Sequence, residues 1–254
     1  MTNAFHAFEH WMLQYRRVWH GTVFSGFVMP VLFMLGIGLG VGAYIDDTAA
    51  IGGVSYAAFI APGLLASTAM QITVGEMTWP VFGALRWGAQ YKAMQASPLR
   101  PVDMLNGHLL YGLLRGLISA VVFLIVMAFF GVVSSGWAPL AVVPAMLTAF
   151  SLIGFMYAYA VSIDSEMGLS IVQRFVIVPI TLFSGVFFPL SQLPQYLQPV
   201  AWLSPLWHGA ELSRWAVSGT ATPWFWPLHA VYLIVLGVAG WWLASRRLAK
   251  RLTI

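Results

Sequence analysis

The 254-residue chain has no cysteine, which excludes a disulfide framework and any thiolate metal site. It is also poor in charge: Asp, Glu, Lys and Arg make up 8% of it, against about 25% in a soluble domain. A water-solvated surface cannot be built from that supply. Catalytic patterns are missing too. There is no H-E-x-x-H, no G-x-S-x-G and no pair of intramembrane carboxylates, and no G-x-x-x-x-G-K-[ST] to bind nucleotide through a P-loop. Gly38, Gly40 and Ala43 fit G-x-G-x-x-A, but without the preceding strand and following soluble helix of a dinucleotide site. His6 and His10 stand at i, i+4 with no third ligand nearby, so they read as interfacial histidines. His108, His208 and His229 are scattered. The first twenty residues lack a charged n-region, apolar h-region and A-x-A site, so no cleaved signal peptide is expected.

What the chain does have is apolar. Hydrophobic residues make up 60% and aromatics 15%, with mean hydropathy +0.82. This is an integral membrane protein with material for aromatic belts. Its net charge of +4 reflects cytoplasmic loops rather than nucleic-acid binding.

The expected fold is all-α. Residues 1–20 form an interfacial amphipathic helix, with Phe5, Phe8, Trp11, Met12 and Tyr15 at helical spacing. Six transmembrane helices follow, at about 21–43, 55–78, 106–131, 139–162, 170–188 and 226–245. The first carries Gly36, Gly38, Gly40 and Gly42, which permit close helix approach, and ends before Asp46 and Asp47. The second has a Pro62–Gly63 break and a polar streak of Ser67, Thr68, Gln71 and Thr73. Residues 79–105 form the one substantial inner loop, with a short helix in VFGALRWGAQYKAMQA.

Orientation follows from the positive-inside rule. With both termini cytoplasmic, the inner segments hold Arg16, Arg17, Arg86, Lys92, Arg100, Arg246, Arg247, Lys250 and Arg251. The outer loops hold Arg214 alone. Glu76, Arg115 and Arg174 lie within the inner halves of spans, near Asp164 and Glu166. Such charges either form a network or, for the arginines, snorkel to the interface. Glu211 and Arg214, at i, i+3, read as a local pair.

Between spans five and six, proline recurs at Pro189, Pro194, Pro199 and Pro205. Each blocks a helix interior, so residues 189–222 are expected to form an extracytoplasmic re-entrant helical hairpin rather than another crossing. Phe183 to Phe188 should finish the fifth helix, and Leu206 to Arg214 should form a second short helix after the fold-back.

FSGVFFPLSQLPQYLQPVAWLSPLWHGAELSR (183–214), FIAPGLLASTAMQ (59–71) and YKAMQASPLRPVDMLNGHLLYGLLRG (91–116) closely resemble, in order, segments of type-2 ATP-binding-cassette (ABC-2) exporter permeases. The branch includes daunorubicin-type drug exporters and nodulation lipo-oligosaccharide exporters. The resemblance covers nearly the whole chain and implies a single ABC-2 transmembrane domain, not itself an enzyme, in the plasma or inner membrane. It implies a permease subunit of an ATP-driven exporter that carries an amphipathic drug, lipid or glycolipid outward. A second permease copy, forming a homodimer, and two cytoplasmic ATPase subunits are its implied partners. No cofactor is expected on this chain, with ATP and Mg on the ATPase. The implied coupling helix spans about Arg86 to Ser97, with Arg86, Trp87, Tyr91, Lys92 and Met94 as contacts; the alternative is a solvated basic loop that serves topology. Ser67, Met70, Gln71, Phe183, Phe187 and Phe188 are candidates for the translocation path and outer gate, against a plain packing role. The competing function is an ATPase-independent channel or an assembly subunit.

Overall fold

The computed structural model describes residues 2–41, 53–88, 90–219 and 225–252, without the side chains of residues 2, 22–26, 37–39 and 41. Gly42, Asp46, Asp47 and the last residues of the 189–222 region lie outside the described residues, as do the side-chain positions of Gly38 and the end of the expected first span.

All regular structure among the described residues is helical. The order is α1 (Thr2–Phe33), a π-helical continuation (Met34–Val41), α2 (Tyr56–Glu76), α3 (Trp79–Arg86), α4 (Gln90–Gln95) and α5 (Pro101–Phe129). A 3-10 turn (Ala138–Ala141) leads into α6 (Val142–Ser162). Then come α7 (Glu166–Val172), a π-helical stretch (Gln173–Ile177) and α8 (Val178–Phe183), which together form one rod. After them follow α9 (Gln198–Trp202), α10 (Pro205–Ser218) and α11 (Trp226–Leu252). Among the described residues, five stretches are long and apolar enough to cross a membrane: Tyr56–Arg86, Pro101–Phe129, Ala138–Ser162, Glu166–Phe183 and Trp226–Leu252. They overlap the expected second to sixth spans, with the second running on to Arg86 and the sixth to Leu252.

Four details differ from the sequence reading. The expected break near residue 20 is absent, and helix runs on to Phe33. No proline interrupts it until Pro30, and an unpaired backbone in lipid costs more than a glycine in a helix. Residues 7–15 of this helix lie beside residues 107–115 of α5: Ala7 fills the space over Gly107, Trp11 stacks on His108 and Tyr15 meets Tyr111. Second, Pro62–Gly63 does not break α2. A Cβ on Gly63 would stand 3.2 Å from the Cα of Val186, so this glycine makes room for the chain that follows span five. Third, that span ends at Phe183, not Phe188, because Gly185 takes a left-handed φ of +67° that a helix cannot accommodate. Fourth, the inner loop holds two short helices, α3 and α4, rather than one.

α2 is the axis of the bundle, packed by α5, α6 and α10; Ile60 through Ser67 are all buried. α11 lies along α6 so closely that a Cβ on Gly154 would overlap the Gly240 backbone, the small-residue contact by which helices associate in lipid. The α7–α8 rod stands apart, with Met167, Ile171, Phe175, Val178 and Phe183 exposed.

Candidate functional site

Polar chemistry concentrates at the two ends of the bundle. At one end, the segment from Ser184 to Ser218 folds over α2 and α6 as a cap. Ser184 and Ser204 share a hydrogen bond, and Tyr56 donates to the Phe187 carbonyl at 3.1 Å. The proline-broken backbone leaves carbonyls without helical partners, and Arg214 collects them. Its Nε donates to Phe59 O at 3.1 Å, and its Nη2 reaches Gly185 O and Val186 O. Nη1 meets Glu211 at 2.6 Å, and the guanidinium lies 4.2 Å from the Phe59 ring centroid. The pair expected as local is therefore also a clamp joining α2, α10 and the turn after span five. Next to it, His208 and His229 bring their Nδ1 atoms to 3.1 Å, and His208 Nε2 donates to Trp202 O at 2.9 Å. Nδ1 of His208 then accepts from His229. Burial first, and the neighbouring imidazole second, push the His208 pKa down to about 4.

The opposite end holds the basic residues. Tyr91 on α4 is fully buried and Met94 nearly so. Tyr157 donates to Tyr91 at 2.9 Å, and Tyr91 donates to His108 Nδ1 at 2.6 Å. Burial, with Tyr157 beside it, raises the Tyr91 pKa well above its ordinary value. This relay pins α4 to α5 and α6. Trp87 and Lys92 face outward. Arg86 and Arg251 both bind the Asp164 carboxylate, Arg86 also reaches the Ile163 carbonyl, and Gln95 donates to Leu252 O at 2.9 Å. Of the five proposed coupling residues, three thus present themselves to solvent or a partner, and Tyr91 and Met94 anchor the helix from within.

Between the ends, Glu76 and Arg115 meet at 3.0 Å, both largely buried, with the Arg115 guanidinium 4.6 Å from the Tyr15 ring centroid. Arg174 does not join them; it is exposed on the separate rod and has no hydrogen bond or ion pair among the described residues. Of the path candidates, Ser67 and Met70 are buried in the α2 core, and Ser67 accepts from Gln71 at 2.9 Å. Gln71 and Phe183 are exposed, while Phe187 and Phe188 are half-buried in the cap. The clamp carbonyls, the tyrosine relay and the histidine pair were not legible in the sequence. Only the Arg at the end of the 183–214 motif signalled the first.

Comparison with known proteins agrees with this architecture. The family model described as ABC-2 type transporter matches residues 7–217. Nodulation protein J of Neorhizobium galegae is 28% identical over 243 residues, covering 95% of this chain and 90% of that protein. Nodulation protein J of Rhizobium leguminosarum bv. trifolii is 31% identical over 188 residues, with 73% and 70% covered. The inner membrane transport permease YadH of Escherichia coli (strain K12) is 27% identical over 197 residues, with 76% and 74% covered. With its apolar helices and a family match over most of its length, this multi-pass membrane protein belongs to the ABC-2 type transporter family.

Proposed function

We propose that the chain is the permease subunit of an ATP-driven exporter, working as a homodimer with two separate ATPase subunits that bind ATP and Mg. The observation that carries this reading is the basic end. There a short helix, α4, is fixed from beneath by Tyr91 and presents Lys92 outward, with Trp87 exposed at the end of α3, in a chain with no nucleotide-binding motif of its own. A surface held this rigidly can pass a push from outside into α5 and α6. The positive-inside rule puts this end in the cytoplasm and the cap outside. The cargo is an amphipathic or lipid-linked molecule, because the exposed faces on offer combine Gln71 on α2 with the apolar α7–α8 rod and its groove of about 310 Å³ against α9 and the start of α10. Phe183 lines that groove; Phe187 and Phe188 belong to the gate above it.

Purification of the chain with its ATPase, followed by measurement of ATP hydrolysis with and without the permease, tests the proposal. Co-purification and stimulated hydrolysis are expected. A chain that binds no ATPase yet conducts solute in vesicles would mark a channel instead.

A further inference from the structure

The end of α11 was assigned no role by the sequence beyond topology. In the structure it completes a basic cleft. Leu85, Arg86, Lys92, Gln95, Arg251 and Leu252 enclose about 600 Å³, within the roughly 300–1,000 Å³ range of clefts that seat a compact ligand. Three cations face it. Arg86 and Arg251 share one carboxylate, that of Asp164. Lys92 has no ion pair among the described residues. Both acidic groups nearby, Asp164 and Glu166, line a neighbouring recess with Phe82, Arg86, Trp87 and Ser165 rather than the cleft itself. Positive charge is therefore left over inside a preformed cavity.

Its depth points to a protein partner rather than a lipid headgroup. Trp241 binds Asn106, and Arg246 stacks over Trp242 at 3.9 Å from the ring centroid, an arrangement suited to the aromatic belt at the membrane surface. Arg251 is nine residues beyond Trp242, about 14 Å along a helix, whereas the headgroup layer is about 5–8 Å thick.

We infer that the cleft between α4 and the end of α11 is a docking site for an acidic segment of the ATPase subunit, and that Arg251 is part of the coupling surface. This rests on the reading of the chain as an ATPase-driven permease. Asp164 acts as the internal counter-ion that keeps Arg86 and Arg251 in place until the partner's carboxylates arrive. Charge complementarity of this kind steers association and is sensitive to salt.

The test measures ATPase binding to the full-length permease in detergent for the wild type, R251E, K92E and D164N, with permease abundance and thermal unfolding checked for each. R251E and K92E are each expected to weaken binding at least about tenfold. D164N, which leaves the cleft more positive, should bind as well as the wild type or better. If R251E and D164N weaken binding alike, Arg251 merely pins α11 and the inference falls. If K92E alone weakens binding, the site does not extend to α11. A defect of R251E that appears only in vesicles containing anionic phospholipid would assign the cleft to lipid and overturn the inference. A wild-type chain that binds no ATPase would instead refute the underlying function.

Discussion

The cap and the basic end both rely on arginine, and they use it in opposite ways. Arg214 is largely buried, and its partners are carbonyls of its own chain plus one carboxylate about one turn back in the same helix, Glu211 at i−3. Its Nε and Nη2 donors are spent on backbone carbonyls and its Nη1 on Glu211. Arg86 and Arg251 are about one-third exposed and compete for a single carboxylate that is itself mostly exposed, beside Lys92 with no ion pair among the described residues. One end is closed upon itself and the other is open. An arginine consumed internally contributes stability, whereas one left partly uncompensated is available for recognition, since exposed ion pairs add little to folding.

Substitutions can break or sharpen this contrast. The largest effect is expected at the cap: Arg214→Ala strands several buried carbonyls and Glu211, costing about 3–5 kcal/mol, read as a lowered unfolding midpoint in detergent. A small effect there would show that the cap is not held by its arginine. Between the ends, Glu76→Ala leaves Arg115 without its anion and should cost about 1.5–3 kcal/mol; a charge-swapped Glu76→Arg, Arg115→Glu chain should recover part of the loss in transport and in melting. Unrelieved loss would make the two charges independent. Tyr91→Phe removes the hydroxyl linking Tyr157 to His108 and should cost about 1–3 kcal/mol while also lowering ATPase stimulation. The cap should also be sensitive to acid. The folded-state pKa of His208, about 4, lies below its ordinary 6.5, so the unfolded chain takes up the proton first and stability falls as pH drops from about 6.5 to about 4. His208→Asn should flatten that dependence in pH-resolved melting curves. Smallest of all, Lys92→Ala should shift stability by less than about 0.5 kcal/mol yet reduce ATPase association.

How much of this was legible in the sequence depends on range. Spans two, three, four and six were visible because apolar length is a local property. The fifth begins at Glu166, four residues earlier than hydropathy suggests, because Ser165 caps it by accepting from Met167 N and an acidic first turn suits the helix dipole. The basic tally placed Arg86, Lys92 and Arg251 on one side, but nothing in their spacing revealed that Asp164 would gather two of them. Tyr91 read as a surface contact because six helical residues are too few to show a buried face by periodicity. Arg214 read as half of a local pair because its other partners, Phe59 and Gly185, are 155 and 29 residues away. Closure of the cap is a tertiary property and left only its arginine and glycine in the sequence.

The absence of cysteine allows the contrast to be measured in one experiment. Ala93→Cys and Gln195→Cys chains in sealed, inside-out vesicles would be exposed to a membrane-impermeant maleimide with and without the ATPase; Ala93 is exposed on α4 beside Lys92. The expected result is labelling of Cys at 93 from the cytoplasmic face, suppressed when ATPase is bound, and no labelling at 195 until the vesicles are opened. Labelling at 195 from the cytoplasmic face alone, or a rate at 93 indifferent to saturating ATPase, would contradict an open inner surface opposed to a closed outer cap.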